Sequence, residues 1–172
     1  MTDKTKQKKE IIVKAAMKCF RQYGYSKSTF GDIAKEAGIS RALIYSYFKD
    51  KRDIFITINS NLQDRWLAMS EEIVKSDCSD EEKLSKIIDI WIVDSYRLIR
   101  NNVYGNQILE GLINIAEQNE KRFRKVFVKA IESIVGGEVA EIIVLSIRGL
   151  MNDRPTVKTL QKRIGILIRK VA

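Results

Sequence analysis

The stretch from Ser28 to Lys51 constrains the fold more than any other part of the chain. It contains two short helical patterns, one on each side of Gly38. Thr29 stands three residues before Asp32, which is the spacing of a capping box at the start of a helix. Gly38 is suited to end that helix, because glycine adopts the left-handed backbone conformation without strain. The stretch therefore predicts two short helices joined by a tight turn.

Ser40 predicts the start of the second helix, since a serine hydroxyl can accept a hydrogen bond from a backbone N–H of the first turn. Ile44 and Phe48 lie about one turn apart and should point inward, and the small Ala34 lets the two helices approach where they cross. This spacing is typical of a helix-turn-helix, whose second helix is presented to the major groove of DNA. The alternative is an ordinary pair of short helices in an all-α domain.

The rest of the chain predicts an almost entirely helical protein. Its 172 residues include one proline and nine glycines, and strand-like alternation is rare. This length is enough for one compact unit or two small domains. The longest apolar run, Ile142 to Leu145, is far too short to cross a membrane, and the basic start lacks a signal-peptide core. We therefore expect a cytoplasmic protein without a membrane segment.

Positive charge is concentrated at one end of the chain. Residues 1–52 carry 13 Lys/Arg and 5 Asp/Glu, a net charge of +8, whereas residues 53–172 carry 18 and 17. The excess coincides with the helix-turn-helix pattern. A localised basic domain attracts the phosphate backbone of nucleic acid. The alternative is a basic face that serves only solubility.

The two cysteines, Cys19 and Cys78, form neither a disulfide framework nor a zinc site. Cys19 lies on the apolar stripe of the first helix and is expected in the core. Cys78 lies in a polar segment, and no basic residue next to it in sequence would lower its pKa. Redox sensing at Cys78 is therefore the less favoured interpretation.

The Ser28–Lys51 stretch and its flank resemble the DNA-binding region of the TetR family of bacterial transcription regulators. The matching residues are Thr29, Asp32-Ile33-Ala34, Ala37-Gly38, Ser40, Tyr45, Tyr47-Phe48, Lys51 and Ile54-Phe55. The resemblance implies an all-α fold with a three-helix helix-turn-helix domain at residues 5–65, which include the start of the fourth helix. A long helix joins it to a helical-bundle domain for effector binding and dimerisation at residues 66–172.

The candidate DNA-binding residues lie at the start of the first short helix of the helix-turn-helix, on or beside its second short helix, and at the start of the long helix that follows. They are Thr29, Arg41, Ala42, Tyr45, Ser46, Tyr47 and Lys51. Arg41 is the best candidate for a base edge, because a guanidinium can bond guanine O6 and N7 together, and Ala42 can approach a thymine methyl. The resemblance implies phosphate contacts for the tyrosines and Thr29, and Lys51 is expected to anchor the DNA backbone. For the tyrosines the alternative is an aromatic ring at the core edge with a solvated hydroxyl.

Helical periodicity predicts further helices over residues 6–23, 53–75, 79–101, 104–118, 120–135, 138–151 and 155–171. In the TetR family the second domain encloses an apolar pocket for a small-molecule effector, and such a pocket needs a few polar groups in an apolar cavity. The candidate lining residues are Trp66, Trp91, Tyr96, Tyr104 and Glu110. The favoured alternative for each is a core or surface position, since large aromatic side chains are usually core.

The last two helices are expected to form a homodimer interface. On the final helix Val157, Leu160, Ile164, Leu167 and Val171 follow a narrow heptad-like seam. The candidate interface residues are Ile142, Ser146, Gly149, Leu160, Ile164 and Leu167. The alternative is that both helices only close the core of their own subunit.

Together, the basic domain and the resemblance imply a sequence-specific DNA-binding transcriptional regulator. In the family this is most often a dimeric repressor, released from a near-palindromic double-stranded operator by a small-molecule effector. One alternative is a helical architectural or adaptor protein without an effector. Another is a small helical enzyme, but the chain has no histidine, no glycine-rich phosphate loop and no spaced cluster of metal ligands. We therefore expect no catalysis, no cofactor and no metal.

Overall fold

The computed structural model describes residues 3–105 and 116–171, and the regular elements within these ranges are all helical. They are α1 (Asp3–Tyr23), α2 (Phe30–Ala37), α3 (Arg41–Tyr45), α4 (Lys51–Val74), α5 (Asp80–Ile88), a π-helical turn (Asp89–Val93), α6 (Asp94–Arg100), α7 (Ala116–Val135), α8 (Gly137–Met151) and α9 (Val157–Val171). The all-α class predicted from the sequence is confirmed. The helix predicted over residues 104–118 lies largely outside the described residues.

The chain divides into two compact units. Unit 1 comprises Met1–Asn61 and Ile99–Asn119, and unit 2 comprises Leu62–Leu98 and Glu120–Ala172. The boundary between Asn61 and Leu62 lies inside α4, which the sequence periodicity predicted as a single helix. Within the described residues, no helix combines the length and the apolar character that spanning a membrane requires.

Unit 1 is built around the apolar sides of its first four helices. Among its described residues the buried apolar side chains are Ile12, Val13, Ala15, Ala16, Cys19, Phe20, Tyr25, Phe30, Ile33, Ala34, Ile44, Phe48, Ile54, Phe55 and Ile58. The rings of Phe20, Tyr25 and Phe55 contact one another, with centroids 4.9–5.8 Å apart. Cys19 lies in this core, as predicted. Ile11 is 42% exposed, because the buried side of α1 is centred on Ile12, Ala16 and Phe20.

Unit 2 has an aromatic centre around Trp91. Its ring stacks on Phe127 with centroids 5.0 Å apart, and Trp66 and Phe123 pack against it at 5.4 and 5.6 Å. The indole N–H of Trp91 donates to the hydroxyl of Ser70 over 2.9 Å. This bond satisfies the one polar group of a side chain that is 1% exposed. Trp91 is therefore a core residue whose indole N–H is hydrogen-bonded.

The helix predicted over residues 79–101 begins and ends close to the predicted positions but is not regular. Ser79 and Glu82 form the predicted capping box, with each side chain accepting a bond from the other residue's backbone N–H. Residues Asp89–Val93 then form a π-helical turn, in which hydrogen bonds run from residue i to i+5. A π turn adds one residue to the helix and brings the consecutive Trp91, Ile92 and Val93 into the core.

Two residues of the predicted dimer seam, Leu160 and Ile164, lie in the core of their own subunit. Their side chains are 0% and 3% exposed, because they pack into the core of unit 2, and Leu167 is half-buried against the same core. The alternative, that α9 closes its own subunit, therefore describes these residues. On α8, in contrast, Ile142 is 57% exposed, and Gly149 is exposed as well. Those positions, together with half-buried Ser146, stay a predicted interface.

Candidate nucleic-acid interface

The first element of the candidate site is the N-terminus of α2, which Thr29 caps as predicted. The backbone N–H of Asp32 donates to the Thr29 hydroxyl over 3.2 Å, and the Asp32 carboxylate accepts from the Thr29 backbone N–H over 2.8 Å. The Thr29 hydroxyl also donates to this carboxylate over 2.7 Å. These bonds hold the pKa of Asp32 below its usual value, with the hydroxyl bond as the main cause. The side chains of Thr29 and Asp32 thus fix this end of the helix.

In the turn between α2 and α3, Gly38 and Ser40 have the predicted roles of ending one helix and capping the next. Gly38 has φ 65° and ψ 35°, the left-handed conformation that ends α2. The Ser40 hydroxyl accepts from the backbone N–H of Leu43 over 3.1 Å and so caps α3. Regular α3 ends at Tyr45, three residues before Phe48. The Ser46 hydroxyl donates to the Leu43 carbonyl over 2.7 Å, and a turn follows.

The outward face of α3 carries most of the predicted contact residues. Arg41, Ala42, Tyr45 and Ser46 are exposed and Tyr47 is half-buried, whereas Ile44 and Phe48 are buried beneath them. The Arg41 guanidinium donates to the Tyr45 hydroxyl over 3.0 Å and lies over the Tyr45 ring at 5.6 Å. The short helix therefore presents a cationic group, a methyl group and hydroxyls on one surface.

Phe30 supports this surface, although no motif in the sequence indicated it. Its buried ring packs against Tyr45 with the centroids 4.8 Å apart. Tyr45 in turn contacts Arg41, so the aromatic pair links the start of α2 to the outer face of α3. The only sequence signal is an aromatic residue directly after the cap of α2. That signal does not show which residue of α3 it would meet.

Lys51 lies in a different environment from the one expected for a DNA-backbone contact. Its side chain is half-buried, and its ammonium donates to the backbone carbonyls of Tyr25, Ser26 and Ser28 over 2.5, 3.1 and 3.0 Å. The ammonium also lies over the Tyr25 ring at 4.6 Å. Burial lowers the pKa of Lys51. The structure thus joins Lys51 to the segment between α1 and α2.

The structure describes four of the five residues predicted to line an effector pocket. Trp91 and Tyr96 are core residues, and the Tyr96 hydroxyl donates to the Pro155 carbonyl over 2.6 Å. Half-buried Trp66 packs on Trp91, whereas Tyr104 belongs to unit 1. The prediction for Glu110 falls outside the described residues. For Trp91 and Tyr96 the core alternative given above describes what the structure contains.

Two open surface clefts are lined by described residues, and none of the predicted effector-pocket residues lines either one. The cleft in unit 1 is bordered by Lys14, Met17, Lys18, Arg21, Gln22 and Asn102. The cleft in unit 2 is bordered by Leu67, Lys121, Arg124, Lys125, Val126, Val128, Lys129, Glu132 and Glu141. Across residues 3–105 and 116–171, no three Cys, Asp or Glu side chains are grouped so that they could hold a metal ion.

Comparison with known proteins identifies the helix-turn-helix segment. The profile described as "Bacterial regulatory proteins, tetR family" matches residues 12–58. The Fatty acid metabolism regulator protein of Bacillus subtilis is 31% identical, over 62% of this chain and 62% of that protein. The HTH-type transcriptional regulator AcrR of Shigella flexneri is 44% identical, over 34% of this chain and 29% of that protein. The chain thus matches less than two thirds of the length of each of these relatives.

Solved structures match over almost the whole chain. A TetR transcription regulator from Haloarcula marismortui has a TM-score of 0.73 at 18% identity, covering 96% of this chain and 98% of that one. A transcriptional regulator from Cytophaga hutchinsonii has a TM-score of 0.71 at 21% identity, covering 94% and 97%. At such identities these matches show a common fold. The capped helix-turn-helix, the profile match and the related regulators place residues 12–58 in the TetR family of bacterial regulatory proteins.

Proposed function

We propose that this protein is a sequence-specific DNA-binding transcriptional regulator that acts in the cytoplasm. The observation that carries the proposal is the exposed face of α3, which displays Arg41, Ala42 and Tyr45 above the buried Ile44. The same end of the chain, residues 1–52, has a net charge of +8. A charge excess of this kind favours binding to the phosphate backbone and makes that binding salt-dependent.

In this function each exposed group of α3 has a chemical role. The Arg41 guanidinium would bond the O6 and N7 of a guanine, and Ala42 would touch a thymine methyl group. Tyr45 and Tyr47 would donate their hydroxyls to phosphates, which fix the register of the helix in the groove. Arg41 already donates to the Tyr45 hydroxyl over 3.0 Å, so the base-reading group is oriented before DNA arrives.

We further propose that the protein acts as a homodimer on a near-palindromic double-stranded operator. Two α3 helices would enter successive major grooves with centres about 34 Å apart. Exposed Ile142 and Leu145 on α8, at 57% and 52%, support the choice of that helix for the dimer contact. Large apolar side chains that stay exposed beside one another often mark an interface.

The last part of the proposal is repression relieved by a small-molecule effector. Effector binding in residues 66–172 would act through the long helix α4 and weaken DNA binding, with a coupling of roughly 1–3 kcal/mol. One relative is named for fatty acid metabolism, so fatty acids are the first ligands to screen. Half-buried Trp66 packs on Trp91 in the core of unit 2, so tryptophan fluorescence would report a ligand that rearranges this core.

The test begins with a duplex selected from a random-sequence DNA library by the wild-type protein. Its affinity is measured at several salt concentrations for wild type, Arg41→Ala and the charge-preserving control Arg41→Lys. We expect Arg41→Ala to lose about 1–3 kcal/mol on the selected duplex and much less on a scrambled one. Arg41→Lys should keep the non-specific affinity but lose specificity, because lysine lacks the bidentate fork.

Two results would count against the proposal. If wild type shows no salt-dependent affinity for any duplex, the DNA-binding function is wrong. If Arg41→Ala binds the selected duplex as tightly as wild type does, the base contact is wrong although the function stands.

A further inference from the structure

The ammonium of Lys51 is enclosed by the segment that joins α1 to α2, residues 24–28, which we call the α1–α2 turn. Three backbone carbonyls of this turn accept from Lys51, those of Tyr25, Ser26 and Ser28, over 2.5–3.1 Å. An ammonium has three N–H donors and no acceptor. The three carbonyls therefore account for its full donor capacity.

A phosphate bound by this ammonium would have to replace at least one of those carbonyls. The Tyr25 ring covers a further side of the group at 4.6 Å, and Tyr25 itself is 9% exposed and packed on Phe20 and Phe55. The surroundings of Lys51 are thus carbonyl oxygens and an aromatic face, both of which already stabilise its positive charge. DNA would gain little by drawing the side chain out.

The α1–α2 turn leads directly into the capped start of α2. Gly24 has φ 84°, and the buried Ser28 donates its hydroxyl to the Gly24 carbonyl over 2.7 Å. Thr29 follows Ser28 without an intervening residue. A change in the backbone path of this turn would therefore displace Thr29 and the backbone N–H groups at the N-terminus of α2.

We propose that Lys51 is a positioning residue for DNA binding, which ties the first turn of α4 to the α1–α2 turn and so holds the N-terminus of α2 in place. It does not contact the DNA itself, in contrast to the anchoring role expected from the sequence. The inference rests on the proposed DNA-binding function. It distinguishes residues that contact phosphate from residues, such as Lys51, that position them.

The salt dependence of DNA binding distinguishes the two roles. Loss of one phosphate contact lowers the slope of log K against log salt by about 0.9. Loss of a positioning contact reduces the fraction of molecules with α2 in place, which weakens binding equally at every salt concentration. We expect Lys51→Met to bind the selected duplex about tenfold more weakly with an unchanged slope, if about a tenth of the molecules keep the arrangement.

Two further variants sharpen this comparison. Lys51→Arg keeps the charge, but a planar guanidinium cannot direct its donors at three carbonyls that surround one nitrogen. It should therefore bind nearly as weakly as Lys51→Met. Lys27→Met removes the charge of an exposed lysine in the same turn and measures the effect of charge alone. A reduced slope for Lys51→Met together with wild-type affinity for Lys51→Arg would overturn the proposal.

A measurement on the wild-type protein covers the case in which the variants fail to fold. The hydrogen-bonded ammonium of Lys51 should give a slowly exchanging ¹⁵Nζ signal in NMR spectra of the free protein. This signal should keep its position when the selected duplex is added. A signal that is missing in the free protein, or that shifts strongly with DNA, contradicts the positioning role. If the wild-type protein binds no duplex, the proposed function is wrong. The signal of the free protein still tests whether Lys51 is hydrogen-bonded to the α1–α2 turn.

Discussion

At the scale of single residues, Cys78 and Lys86 form the contact with the clearest chemical consequence. The Lys86 ammonium donates to the Cys78 sulfur over 2.8 Å. This bond is the main cause that lowers the pKa of Cys78, and a bond from Ser76 adds to it. The expectation that nothing basic lies near Cys78 is therefore wrong. Lys86 lies eight positions after Cys78, so the contact between the α4–α5 loop and α5 could not be seen from residues adjacent in sequence.

This contact predicts that Cys78 is the more reactive of the two cysteines. A lowered pKa gives more thiolate at neutral pH, whereas burial raises the pKa of Cys19 in the unit 1 core. Iodoacetamide alkylation followed by mass spectrometry should modify Cys78 first. Lys86→Met should slow the alkylation of Cys78 several-fold at pH 7. The difference should vanish at a pH where Cys78 is fully ionised in both wild type and variant. Equal rates at pH 7 in the two proteins would contradict the assignment.

The residues that could be predicted from the sequence are those whose partners are local. Thr29, Gly38 and Ser40 act on backbone groups within four residues, so their spacing alone determines the helix ends that they form. The contacts of Phe30 with Tyr45 and of Lys51 with the α1–α2 turn join residues 15 or more positions apart. Such pairs depend on how helices cross, which spacing along one helix does not encode.

At the scale of the helical elements, Gly38 has the left-handed backbone conformation that ends α2. Its φ of 65° is strained for any side chain, although an added Cβ would meet no atom within 4 Å. We expect Gly38→Ala to lower the free energy of unfolding of unit 1 by about 1 kcal/mol. Gly31→Ala lies in the same helix with its added Cβ 3.4 Å from Thr29 Oγ1, and should be neutral or slightly stabilising.

Urea unfolding monitored by circular dichroism measures both variants. Equal stabilities for Gly38→Ala and Gly31→Ala would mean that the turn relaxes around the new side chain. A loss at Gly31 larger than that at Gly38 would indicate that the capped start of α2 is the tighter site.

The element that the sequence described least well is α9. Its 3-4 spacing of Leu160, Ile164 and Leu167 fits both a dimer seam and the inner face of a helix in its own core. Only the burial of these side chains, at 0% and 3% for the first two, distinguishes the two cases. Spacing identifies an apolar face but not the surface that covers it.

At the scale of the whole molecule, the predicted interface residues on α8 and those on α9 should respond differently to substitution. Ile142→Asp on α8 replaces an exposed apolar side chain with a charge, and should raise the dimer dissociation constant at least about tenfold. Leu160→Ala removes a fully buried side chain of unit 2, and should cost roughly 2–5 kcal/mol of folding stability. Sedimentation equilibrium measures the first variant and urea unfolding the second.

The two readouts are independent of each other. If Ile142→Asp leaves the dimer intact, α8 is not the interface. If Leu160→Ala dissociates the dimer without loss of stability, the seam on α9 faces a partner after all.

The π-helical turn at Asp89–Val93 has a consequence for how this protein is compared with its relatives. It inserts one residue into an otherwise continuous helix, so every side chain after it is rotated by about 100° relative to a regular helix. Tyr96, which bonds the Pro155 carbonyl, owes its direction to that rotation. A relative without the π turn would therefore present its equivalent tyrosine one position earlier in sequence. An alignment that allows no gap between Ile88 and Asp94 would then compare core residues with surface ones.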